Sequence, residues 1–146
     1  MRPSEIREEL LGQHAGLRGH LGAARLAAER WTRGELSRSD VDAELAELAD
    51  ALRAHNRREE RVLSELIRSI DAESPEGDGF MDHEHLSEHR EMLDSLARVS
   101  RAQDPGEGGR ELERFCERML AHMTWEEKAF LNATVIPDSA EEPRVS

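Results

Sequence analysis

Nine residues, Val41, Leu45, Leu48, Leu52, His55, Glu59, Val62, Leu66 and Ile70, follow one another in steps of three and four without a skip. That spacing puts them on one stripe of an α-helix, the stripe that must be buried. Three other segments keep the same period: Ile6, Leu10, His14, Leu17, Leu21, Ala24; then His85, His89, Met92, Leu96, Val99; then Leu112, Phe115, Met119, His122, Glu126, Phe130, Ala133. Pro, Gly and Ser clusters separate them, and the expected helices run from about 4 to 31, 39 to 70, 80 to 102 and 110 to 135. Ser39 is the expected cap of the second, and Asp104-Pro-Gly-Glu-Gly-Gly109 reads as a break before the fourth. Four internal glycines, at 12, 16, 19 and 22, make the first the weakest by propensity. Tyr is absent and β-branched residues are sparse, so the expected class is all-α. Short connections make neighbouring helices antiparallel, giving an up-down-up-down four-helix bundle over residues 1–136. An acidic tail over 137–146 is expected to be flexible.

Charge and cysteine content exclude several functions. A net charge of −12 disfavours nucleic acid and anionic membranes as partners. No segment approaches the roughly 20 apolar residues of a membrane span. With one cysteine, Cys116, there is no intrachain disulfide, and a cytoplasmic, reducing location is expected; no secretory signal is visible at the start. Oligomeric state is not legible.

What does not belong on an apolar stripe is imidazole and carboxylate. His14, His55, Glu59, His85, His89, His122 and Glu126 all occupy seam positions. Burying them without a partner is costly, and a metal ion satisfies many such groups together. Counted from the expected helix ends, His14 and His55 stand at one level, and so do His89 and His122. A weak repeat pairs Gln13-His14 with Glu88-His89, and His55-Asn-Arg-Arg-Glu-Glu60 with His122-Met-Thr-Trp-Glu-Glu127. Seven ligand-type groups exceed one tetrahedral zinc and suit two octahedral ions sharing both carboxylates. If a solvent-derived oxygen also bridges, three histidines complete one ion and two leave the other a position short.

The ordered pattern His … His-x-x-x-Glu … His-x-x-x-His … His-x-x-x-Glu-Glu resembles the hemerythrin family of HHE cation-binding domains, over about residues 4–136. The resemblance implies an antiparallel four-helix bundle holding two Fe ions with an oxo or hydroxo bridge. It assigns His85, His89 and His122 to one iron, His14 and His55 to the other, and Glu59 as a bridge. Oxygen-carrying members place the second bridging acid five residues after the last histidine, here Glu127; others place it four residues on, here Glu126. Glu126 lies on the seam and matches Glu59 in the repeat, while Glu127 stays open as the alternative. The function expected is binding of O2 or another small ligand such as NO, peroxide or azide, for sensing, storage or delivery. The alternatives are a peroxide- or NO-consuming oxidoreductase and an iron-homeostasis protein. His20 and His83 read as surface groups, and Cys116, Met92, Met119, Phe115 and Phe130 as core. Trp125 reads as packing near His122.

Overall fold

The computed structural model describes residues 2–70, 83–129, 131 and 132. They form four helices: α1 (Pro3–Thr32), α2 (Arg38–Ile70), α3 (His83–Arg101) and α4 (Pro105–Ala129). Packing occurs around the sequence order, α1 on α2 and α4, and α3 on α2 and α4. Among the described residues the diagonal pairs α1/α3 and α2/α4 make no close backbone approach, which is the contact pattern of an up-down-up-down bundle. The expected helix start at 80, Phe130, the end near 135 and the 137–146 tail lie outside the described residues.

Helix ends follow local hydrogen bonding. Gly34, at φ 75°, closes α1, with its N–H donating to the Trp31 carbonyl at 2.9 Å and the Glu35 N–H to Arg30 at 2.7 Å. The cap of α2 is Ser37 and not Ser39. Its hydroxyl accepts the Asp40 N–H at 3.3 Å while Asp40 accepts the Ser37 N–H at 3.0 Å, a reciprocal pair that Ser39 could not form with that acid.

The start of α4 is a larger correction. The expected break at 104–109 is the first turn of the helix: the Asp104 carboxylate caps the Glu107 N–H at 3.0 Å, and Pro105 occupies the first helical position. Three glycines nearby read as a loop, but Asp-Pro is also a helix-start signal. Gly108 is there for closeness, since a Cβ on it would lie 3.0 Å from the Trp31 ring and 3.5 Å from Ala102.

The glycines of α1 do not interrupt it, and the helix runs unbroken for 30 residues. Leu17, Leu21, Leu48, Leu52, Met92, Leu96, Leu112, Phe115 and Met119 belong to one continuous apolar core. Cys116 and Met123 join it, Cys116 with its thiol pushed up to about 11 by burial.

Candidate metal centre

The stripes deliver their polar members to one place. His14 comes from α1, His55 and Glu59 from α2, His85 and His89 from α3, His122 and Glu126 from α4, and all seven are at most 4% exposed. The levels agree, but the reason differs from the one the expected boundaries supplied. Because α4 begins at Pro105, its first turn projects past the end of α3; the level contact is Gly108 against Ala102. Thirteen residues separate Ala102 from His89 and fourteen separate Gly108 from His122. The His89 and His122 rings stand 5.4 Å apart, and those of His14 and His55 4.9 Å.

Five imidazole Nε2 atoms point at two carboxylates. His55 meets Glu59 at 3.0 Å and His122 meets Glu126 at 3.0 Å, each four residues along its own helix. Across the bundle, His14 reaches Glu126 at 3.0 Å and His89 reaches Glu59 at 3.3 Å. His85 contacts both, Glu59 at 3.2 Å and Glu126 at 3.1 Å. The donor atoms fall into two compact groups: Glu59, His85, His89, His122 and Glu126 in one, His14, His55, Glu59 and Glu126 in the other. Both carboxylates are common to the two.

Protonation reflects the crowding. Burial opposes charge on His14, but hydrogen bonds to Glu126, Glu59 and Glu127 overcome it and raise its pKa to about 10. His89 reaches about 10 and His85 about 9, again against burial and through Glu126 and Glu59. Burial would raise both carboxyls, yet their partners prevail: Glu59 is held well below the usual carboxylate range and Glu126 falls to about 2.

Protons do not satisfy the cluster fully. Glu59 Oε2, His89 Nε2 and His122 Nε2 are buried and lie 3.0 to 3.3 Å from an opposite partner, but none is aligned with it as a hydrogen bond. Each faces the centre, where a cation would engage them together, so the donor set fits a pair of N/O-ligated metal ions.

A second layer, which the sequence reading missed, engages the outward nitrogens. His55 Nδ1 lies 2.6 Å from Gln13 Oε1, His122 Nδ1 2.8 Å from Glu88, His89 Nδ1 2.6 Å from Glu60, and His14 Nδ1 2.8 Å from Glu127. Each outer group accepts the Nδ1–H, so that the neutral ring would present its Nε2 lone pair toward the centre. Arg18 grips Glu127 with two hydrogen bonds of 2.9 and 3.0 Å; desolvation raises that carboxyl, but Arg18 and His14 lower it overall. Arg58 similarly grips Glu9, which accepts the Gln13 amide at 3.3 Å. The signal was available: Gln13, Glu60, Glu88 and Glu127 each adjoin a seam His or Glu in sequence.

The other singled-out residues lie apart from the donor groups. His20 is half-buried and belongs to neither. Trp125 is 50% exposed, its ring 5.7 Å from His85 and 6.3 Å from His122. The His83 side chain lies outside the described residues.

No curated protein and no solved structure gives a significant match to the chain. The sequence profile of the hemerythrin HHE cation binding domain, by contrast, matches residues 5–134. With that match spanning most of the chain, and a buried His/Glu cluster at the centre of four antiparallel helices, this protein belongs to the hemerythrin HHE cation-binding family.

Proposed function

We propose that the chain is a non-haem di-iron protein that takes O2 or another small diatomic molecule at a vacant position on one iron. Under this reading His85, His89 and His122 hold one ion, His14 and His55 the other, and Glu59 and Glu126 bridge them. The observation that carries it is the convergence of five Nε2 atoms on two shared, fully buried carboxylates. Glu126 is preferred to Glu127 as the second bridge because Glu126 is fully buried among His14, His85 and His122, while Glu127 faces His14 Nδ1 and Arg18.

An iron pair would supply redox chemistry and a position for an exogenous ligand. The chain's own residues prepare it. Gln13, Glu60, Glu88 and Glu127 fix the imidazole tautomers, and the two carboxylates offset positive charge inside the bundle. Leu10, Leu17, Met92 and Met119 are buried one helical turn from His14, His89 or His122, where they would give an iron pair apolar surroundings.

Metal analysis after expression with adequate iron, together with an optical spectrum in air, tests the reading. The expected result is about two Fe per chain and a visible band that changes reversibly as O2 is removed and restored. Steady consumption of peroxide or NO would move the protein to the oxidoreductases, and a chain that binds no pair of metal ions would sink the proposal.

A further inference from the structure

The sequence repeat is also a symmetry of the centre. Helices α1 and α2 correspond to α3 and α4, with Gln13-His14 matching Glu88-His89 and His55, Glu59, Glu60 matching His122, Glu126, Glu127. Contacts obey the same exchange. The 3.0 Å approach of His55 to Glu59 is repeated by His122 and Glu126 at 3.0 Å. His14 lies 3.0 Å from Glu126 and 3.9 Å from Glu59, and His89 lies 3.3 Å from Glu59 and 3.9 Å from Glu126. The outer hydrogen bonds exchange as well: Gln13 to His55 at 2.6 Å answers Glu88 to His122 at 2.8 Å, and Glu127 to His14 at 2.8 Å answers Glu60 to His89 at 2.6 Å.

One donor position breaks this twofold. His85 precedes His89 by four residues, and its Nε2 reaches both carboxylates. The residue four before His14 is Leu10. Positions four apart on a helix share a face, so the exchange puts Leu10 where a sixth imidazole would stand. Leu10 is 0% exposed.

We propose that Leu10 is the specificity-determining residue of the centre: it occupies the twofold mate of His85 and so keeps one coordination position open to a small diatomic or triatomic ligand. The inference rests on the di-iron reading. A leucine there offers no donor atom and restricts the approach by its bulk, whereas the opposite half of the centre is closed by His85. Size and lack of hydrogen-bonding demand are therefore the selecting properties, which fits O2, NO or azide better than a chelating anion.

The test is reciprocal substitution, read by metal titration and by azide binding to the diferric centre. The native protein should bind two metal ions and one azide per pair. Leu10→His should tighten the weaker metal-binding step tenfold or more and weaken azide at least a hundredfold. His85→Leu should weaken the tighter metal step tenfold or more, leaving only the difference set by the outer hydrogen-bond partners, and admit a second azide. Leu10→Ala should keep one azide site while speeding entry of bulkier anions. A Leu10→His protein that binds two ions and takes up azide as the native protein does would overturn the inference, and so would a His85→Leu protein that still binds one azide per pair. Should Leu10→His fail to fold, His85→Leu and Leu10→Ala decide alone. A native chain that binds no metal pair would instead defeat the di-iron reading.

Discussion

At the scale of single residues, the cluster is held in the absence of metal by protons. His14, His85 and His89 keep theirs to about pH 10, 9 and 10 against an ordinary 6.5. A raised folded-state pKa stabilises fully below the unfolded value and loses its effect as pH climbs through the folded one. The carboxyl of Glu126, lowered to about 2, stabilises above its ordinary 4.5 and loses that effect as pH falls through about 2. The metal-free protein should therefore be most stable between about pH 4.5 and 6.5, with a thermal midpoint that declines from pH 7 to 10. Metal ligation requires neutral imidazole, so loading at pH 7 should release about three protons, measurable as a buffer-dependent heat, and far fewer near pH 10. A midpoint flat across that alkaline range would contradict the proton account. The adjacent acids divide the same way. Glu126→Gln should cut metal affinity 10-fold or more, because Glu126 belongs to both donor groups, whereas Glu127→Gln keeps an acceptor for His14 Nδ1 and should cost less. The reverse ordering, read by metal titration, would make Glu127 the bridge.

At the scale of elements, position and not propensity decides what a glycine does. Gly12, Gly16, Gly19 and Gly22 are exposed, and a Cβ at any of them meets nothing within 4 Å. Helix α1 forms despite them because its buried stripe, from Leu10 to Ala28, supplies tertiary packing that propensity leaves out. Gly16→Ala should accordingly stabilise by about 0.5–1 kcal/mol in thermal or chemical unfolding. Gly108→Ala should destabilise by about 1–3 kcal/mol, since the new methyl would press on the Trp31 ring. If both alanines proved neutral, the close approach of α4 to Trp31 would be wrong. The same contrast explains what the sequence concealed. Period alone revealed four helices and, among the described residues, most of their buried faces. It could not separate Asp104–Gly109 as a loop from Asp104–Gly109 as a capped first turn, because the feature that settles it, Trp31 packed on Gly108, joins residues 77 positions apart.

At the scale of the molecule, the seven inward groups were legible because imidazole and carboxylate are conspicuous among leucines. Their outer partners were not, because Gln13, Glu60 and Glu88 resemble any solvated acid or amide until the packing of helices is known. Those partners make the two halves of the centre electrically unequal. Behind His55 stands a neutral amide, and behind His14 a carboxylate matched by Arg18. Behind His122 and His89 stand Glu88 and Glu60, neither of which meets an arginine among the described residues. The three-histidine half thus carries about two more negative charges in its outer layer, which adds to its extra imidazole in attracting a cation. Metal uptake should then be stepwise, with the first ion entering that half. Glu88→Gln makes the group behind His122 the same as the one behind His55 while retaining a hydrogen-bond acceptor. It should weaken the first step by about tenfold and leave the second nearly unchanged. Glu47→Gln, an equal change of charge at an exposed position of α2, should alter neither. Equal weakening of both steps by Glu88→Gln would mean that the outer charge acts on the bundle as a whole and does not distinguish one metal position from the other.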